Sequence, residues 1–320
     1  MMTLPEPLTR AGLLPWEAGL AVEPAGADLP GLSIVIPIYN AGDFLERTIR
    51  SLLCNDLSGV EIIVMDGGST DNTAEILAHY EGVFATVVSE EDEGQSDALN
   101  KGFARASNDI LHWLNGDDVV LPNVLNAVRR AFRDNPGAGL VVGDAALTEL
   151  DLTVIHQSRL SPGRLTFERL KDYSANHLIQ PSVFFSRRAW EACGPLNGAL
   201  DYAMDADLFL AMAARFRIHH VAREVAYSVY HEGCKTRKKR AESIAELAMV
   251  QARHGAFDEA ARTLDLLVDL YNQAVAGAGN DTPSYGTGDA GVLVRRMQAL
   301  EAQVEKNRAL LLAQDLKQTR

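Results

Sequence analysis

Two short polar clusters have the residue types and spacing for chemistry on a phosphorylated ligand. Asn115-Gly-Asp-Asp118 sets two carboxylates side by side after an apolar run and shortly before a proline. Adjacent carboxylates at the end of a buried strand can hold a hard divalent cation, which neutralises a diphosphate and stabilises the charge on a departing one. Asp and Asn also favour turns and helix caps, so the same residues can be turn chemistry. Asp66-Gly-Gly-Ser-Thr70 offers a carboxylate of the kind that reads a ribose or base, beside glycines that let backbone approach a ligand. It too can be a plain turn.

The elements around these clusters decide what they can do. Leu32-Ser-Ile-Val-Ile-Pro-Ile38 is an apolar, β-branched run that suits a strand buried on both faces. Asp43 to Cys54 reads as a helix with Phe44, Leu45, Ile49, Leu52 and Leu53 on one stripe. Further strands are expected at 60–65, 83–88 and 110–114, with helices at 70–80 and 96–106 and one opened by Pro122. Strands alternating with helices predict an α/β fold with a mostly parallel sheet covered on both faces. Ligands bind such sheets beyond the carboxyl ends of the strands. Tyr39-Asn40 and both clusters fall at those ends.

The pattern changes after Val142. Short strands are expected at 182–185 and 225–230, a helix at 206–216, and a basic run from Lys235 to Arg240. A helical pair over 241–275 turns near His254-Gly255. Residues 277–291 read as a flexible linker, and 292–320 as a last helix. In that helix Leu293, Met297, Leu300, Val304, Asn307 and Leu311 alternate spacings of four and three. This is the seam of a coiled coil, and predicts a homodimer or a helix docked on its own domain. Residues 1–31, rich in Pro, Gly and Ala, read as an extension draped on the surface.

Composition removes several classes. The chain has 320 residues and a net charge of −13 at pH 7, which disfavours nucleic acid and anionic membrane as partners. No apolar run approaches the roughly 18–20 residues of a membrane span. Three scattered cysteines argue against a disulfide framework. A cytoplasmic location follows as the expectation, with peripheral attachment to the inner membrane left open. No dinucleotide fingerprint or P-loop is present. The glycine-rich basic loop of sugar nucleotidylyltransferases is also missing, since Tyr39-Asn-Ala-Gly42 has no basic residue before Arg47.

Seven segments in order resemble family 2 glycosyltransferases: Ser33–Asn40, Val64–Asp71, Glu93–Gly102, Trp113–Asp118, Gln180–Phe185, Tyr202–Leu208 and Tyr230–Thr236. The resemblance covers roughly residues 32 to 236, taken as the catalytic domain. It implies a glycosyltransferase-A fold, with a Rossmann-like nucleotide half fused to an acceptor half. It also implies inverting transfer from a nucleotide-diphosphate sugar, a UDP-sugar being favoured, with Mn2+ or Mg2+.

Carried over by position, the resemblance assigns Pro37, Tyr39 and Asp66 to the base and ribose. Otherwise Tyr39 is a half-buried aromatic at a strand end. Gln95, Ser96, Asn100 and Lys101 match the segment lining the donor cleft, or else form a solvated helix start capped by Ser96. Asp117 matches the last carboxylate of the family's Asp-x-Asp metal motif. Asn115 replaces the first, leaving Asp117 as the main ligand and Asp118 as its support or a ribose partner. His231 falls where a histidine reaches the metal or diphosphate, and imidazole suits manganese better than magnesium. Asp205 takes the place of the catalytic aspartate, the general base that accepts the acceptor's proton. Met204 stands where that residue usually has an acidic neighbour, so Asp207 remains a rival. Asp205 also reads as a helix N-cap.

The expected function is glycosyl transfer in glycan or cell-surface polysaccharide assembly, to a glycan, lipid-linked or protein acceptor. The alternative is a catalytically silent domain that recruits partners through its C-terminal helices.

Overall fold

The computed structural model describes residues 4–277, apart from residues 10, 11 and 27. The linker and the heptad seam expected beyond them lie outside the described residues.

Four parallel strands build the first half: β1 (Leu32–Ile38), β2 (Val60–Asp66), β3 (Thr86–Ser89) and β4 (Ile110–Trp113), side by side in the order β3-β2-β1-β4. Every residue of β1 is buried because both faces of the sheet are covered. Its side chains alternate between two cores. Val35 packs with Leu99 and Phe103 of α3 (Gln95–Arg105), whereas Ile34 and Ile36 pack with Leu45, Ile49 and Leu52 of α1 (Leu45–Leu53). Helix α3 comes so close to β1 that a Cβ on Gly102 would stand 2.4 Å from a Val35 methyl. Helix α2 (Thr73–His79) joins the α1 side.

The second half continues the same sheet through β8 (Val183–Ser186), β6 (Ala138–Thr148), β9 (Arg217–Val229) and β5 (Val119–Val120), with β7 (Val154–Ser158) paired to β6. Strand β8 runs antiparallel to β4, which marks the junction of the halves. The residue pattern predicts only short strands here. The parallel β6–β9 pair is instead the longest ladder in the sheet, and bulges around Gly143 and Asp144 break its alternation.

Several element boundaries differ from those the sequence predicts. A 3-10 turn (Glu81–Val83) delays β3. Asn123 has φ +57°, so Pro122 sits in a turn and α4 (Leu125–Asp134) begins beyond it. The next α-helices are α5 (Phe167–Leu170), α6 (Tyr173–Asn176), α7 (Arg187–Cys193), α8 (Met204–Ala213) and the short basic α9 (Lys235–Lys238). They are followed by the expected helical pair, α10 (Arg240–Arg253) and α11 (Phe257–Gly277). Val250 of α10 enters the same core as Phe209 and Met212 of α8.

The N-terminal segment lies along the polar side of α1, so all nine α1 residues are buried. Glu46 accepts the Leu8 and Thr9 N–H groups at 2.5 and 2.9 Å and the Tyr80 hydroxyl at 2.9 Å. Arg50 pairs with Glu17 and donates to the Pro5 carbonyl at 2.7 Å. These partners let two charged side chains stay buried. Among the described residues, no helix is long and apolar enough to cross a membrane.

Candidate active site

A cavity of about 660 Å³ opens beyond the carboxyl ends of β1 and β4. Pro37, Tyr39 and Gln95 line its first-half wall, Asp117 and Asp118 its floor, and Gln180, Tyr202, Asp205 and His231 its second-half wall. Lys235 and Lys238 of α9 stand at its edge.

Two of the sequence segments interlock to build the first wall. The Ala41 N–H donates to the Thr73 hydroxyl at 3.0 Å and the Gly42 N–H to Asp71 at 2.9 Å. Asn40 accepts the Thr70 N–H at 2.8 Å, which supports its positive φ of 48°. The Tyr39 side chain is left 66% exposed, a flat face open to an aromatic partner. Asp66 is buried beneath this wall. Its oxygens take the Ser69 and Ser89 hydroxyls, both at 2.5 Å, and it does not line the cavity.

Three of the four α3 residues assigned to the donor cleft do not reach the cavity. Gly94, not Ser96, stands at the N-cap, and Ser96 turns its hydroxyl to the Met204 sulfur at 3.2 Å. Asn100 clasps Leu196, giving a hydrogen bond to its carbonyl at 3.0 Å and taking one from its N–H at 2.8 Å. Lys101 pairs on the surface with Asp97 at 2.8 Å. Gln95 does reach the cavity and starts an amide chain. Its Nε2 donates to Asn115 Oδ1 at 2.8 Å, and Asn115 Nδ2 donates to Asp118 at 3.0 Å and to Gln180 at 3.1 Å.

Asp118 is 3% exposed and accepts the Val229 N–H at 3.0 Å, tying the floor to the end of β9. Burial, and then the neighbouring Asp117 charge, push its carboxyl well above the usual range. Two residues past β9, His231 Nε2 lies 3.0 Å from Asp117 Oδ2, and its ring packs on Phe44 with centroids 4.2 Å apart. The Gly233 N–H donates to Nδ1 at 3.0 Å, so the proton of the neutral ring sits on Nε2 and points at Asp117.

Donor atoms of Asp117, His231 and Cys234 all lie within 4.8 Å of one another. A carboxylate and an imidazole this close fit a divalent cation. Burial is the main cause pushing the Cys234 thiol up, which favours its neutral form. Cys234 is not among the residues assigned from sequence, although its i, i+3 spacing from His231 is a usable signal.

Asp205 lies in the first turn of α8, and Ala203, not Asp205, takes the N-cap position. Its Oδ1 accepts the Ala206 N–H at 2.7 Å. Burial pushes its carboxyl up to about 6, against the lowering effect of that bond and with a smaller upward push from Glu246. Asp207 is held elsewhere, at 2.9 Å from His254 and 3.3 Å from Arg253 at the end of α10. It does not line the cavity.

A parallel first half, a mixed second half continuing the same sheet and a cavity at the strand ends make this a glycosyltransferase-A fold. The model of Glycosyl transferase family 2 matches residues 33–194, and the chain belongs to that family. It is 27% identical over 174 residues to an uncharacterised glycosyltransferase of Nostoc, covering 53% of this chain and 50% of that protein. It is 30% identical over 132 residues to poly-beta-1,6-N-acetyl-D-glucosamine synthase of Staphylococcus epidermidis, covering 41% and 32%. The chain thus spans half or less of these relatives. Among solved structures, S. aureus TarS in complex with UDP-GlcNAc superposes with a TM-score of 0.62 at 15% identity, covering 88% of this chain and 83% of that one. A mannosyltransferase of Pyrobaculum calidifontis in complex with GDP-Man and Mn2+ gives 0.51 at 17%, covering 91% and 87%.

Proposed function

We propose that the chain transfers a glycosyl group from a nucleoside-diphosphate sugar to an acceptor hydroxyl, with inversion and with a divalent cation. The observation that carries this reading is the sharing of one cavity by Asp117 with His231 and by Asp205, while Asp207 is tied to α10. Tyr39 stacks on the base, with Pro37 beside it. Gln95 and Asn115 orient Asp118. Asp117 and His231 hold the cation, manganese or magnesium, which when bound neutralises the diphosphate and stabilises its departure. Lys235 and Lys238 add positive charge at the cavity edge.

On the other side, Asp205 accepts the proton of the acceptor hydroxyl as its oxygen attacks the anomeric carbon. The bond to the diphosphate breaks on the opposite face, which inverts the anomeric centre. The proton remains on Asp205 until solvent removes it. We favour a UDP-sugar donor and a glycan acceptor, because the TarS complex holds UDP-GlcNAc and the staphylococcal relative is a poly-N-acetylglucosamine synthase. A thermal-shift screen of UDP, GDP and their sugars, with and without Mn2+, tests the donor side. A ligand that binds only the native state raises the midpoint by an amount that grows with its affinity and concentration. A metal-dependent rise with UDP compounds is expected, and no rise with any nucleotide contradicts the reading.

A further inference from the structure

We propose that Glu246, on α10, is a positioning residue: its carboxylate holds the backbone of residues 201–203 and so sets where Asp205 stands in the cavity. The proposal rests on the reading of Asp205 as the base. Glu246 Oε1 accepts the Asp201 N–H at 2.9 Å, and Oε2 accepts those of Tyr202 and Ala203 at 2.5 and 2.6 Å. A helix start leaves backbone donors without partners. Ser, Thr, Asp or Asn at the N-cap usually supplies an acceptor, but Ala203 has no side-chain oxygen. Glu246, 43 to 45 residues further on, takes the N–H of the N-cap residue Ala203 and of the two residues that lead into the helix, while the Ala206 N–H within the first turn is taken by Asp205 itself. A carboxylate is suited to this end of α8, where the helix dipole is positive.

The hold reaches the chemistry directly. Asp201 and Tyr202 line the cavity, and Asp205 follows three residues after Tyr202. The far end of α10 grips the other side, through His254 and Arg253 on Asp207. Asp205 is thus bracketed by two anchors from one helix, which lies beyond the residues matched by the family model. Helix α10 also follows α9, whose Lys235 and Lys238 edge the cavity. One segment, residues 235–254, serves both the diphosphate side and the base loop.

Charge makes the role separable from mere support. The groups acting electrostatically on or with Asp205 are Tyr173 from α6 and Glu246 from α10. The Glu246 charge disfavours ionisation of Asp205, so its removal lets Asp205 ionise at lower pH. Glu246→Gln keeps the volume but replaces one acceptor oxygen with an NH2 group that faces backbone donors.

The experiment compares the full-length protein with Glu246→Gln, Glu246→Ala, Asp205→Asn and the control Glu242→Gln, which removes the same charge from the same helix. Amide hydrogen exchange of residues 200–208 needs no donor. It is expected to quicken about tenfold or more in both Glu246 variants and not in Glu242→Gln. UDP release from UDP-N-acetylglucosamine with Mn2+ is expected to fall roughly 10- to 100-fold in Glu246→Gln. UDP affinity is expected to stay within about threefold, since the nucleotide side is untouched. The acidic limb of the rate profile is expected to move to lower pH. Exchange and turnover equal to those of Glu242→Gln overturn the proposal, as does loss of UDP affinity in step with turnover. An inactive Asp205→Asn beside a fully active Glu246→Gln overturns the positioning role alone. An Asp205→Asn protein as active as wild type removes the base assignment and the proposal with it.

Discussion

His231 Nε2 and Asp117 Oδ2 lie 3.0 Å apart although 114 residues separate them in the chain. The contact closes the cavity floor from the second half of the sheet. It exists because Asp118, next in sequence to Asp117, holds the Val229 N–H at the end of β9. The adjacent carboxylates of the floor therefore divide the work: Asp118 is buried in the frame and Asp117 is the more open to the cavity.

The Gly233 N–H on Nδ1 leaves the His231 proton on Nε2, the atom that faces Asp117. For Nε2 to serve a cation that proton must go, and an Nδ1–H cannot face the Gly233 N–H. Saturating Mn2+ with UDP is therefore expected to speed amide exchange across residues 231–235 relative to UDP alone. Unchanged exchange with metal demonstrably bound would exclude His231 Nε2 as a ligand. Asp117→Ala is expected to abolish the metal dependence of UDP binding, and an unaltered metal dependence in titration calorimetry would contradict its role.

Asn115 donates from one amide to Asp118 and to Gln180. Asn115→Asp removes both donations and places a third carboxylate against a buried one. Loss of a buried partner costs about 1–3 kcal/mol, more for charged groups. The variant is expected to melt lower than wild type without metal and to recover more than wild type does when Mn2+ is added. Equal melting curves in both conditions would contradict the account.

Asp205 has its carboxyl raised to about 6, so the ionised form that the proposed base role requires is lost as pH falls below that value. Turnover is expected to drop about tenfold per pH unit there. The sign for stability is the reverse. A carboxyl raised on folding favours the folded state below its unfolded value of about 4, and this contribution is lost as pH rises through about 6. Asp205→Asn is therefore expected to be more stable than wild type at pH 8, by on the order of 2–3 kcal/mol, with the difference shrinking towards pH 4. Denaturant unfolding at the two pH values measures this, and a variant less stable at pH 8 would contradict it.

Glu17 reaches from the N-terminal segment to pair with Arg50, both largely buried. Glu17→Ala leaves a buried guanidinium with less compensation, at a cost of about 3–5 kcal/mol. A clear fall in the urea midpoint is expected. A change under about 0.5 kcal/mol would mean that the segment does not hold α1.

Much of the first half was legible because burial on both faces wrote itself as unbroken apolar runs, as in Leu32–Ile38. The β6–β9 ladder was not, since Gly143 and Asp144 sit at its bulges and Arg217, His219, His220 and Arg223 interrupt β9. Residue types alone placed carboxylates at strand ends, yet they could not say which faced the cavity. Asp66 is engaged by serines, and Asp207 is turned to His254 by α10. Ser96 and Asn100 spend their polar atoms on the 196–204 segment. Glu246 gave no local signal, because its partners lie more than 40 residues away.

The central claim is that Asp205 takes the proton while the Asp117 side holds the donor. It is tested most directly by UDP release from UDP-N-acetylglucosamine with Mn2+ in Asp205→Asn, with UDP affinity measured on the same preparation. The account predicts turnover lower by ~10²–10⁴-fold at unchanged affinity. Turnover equal to wild type would contradict it.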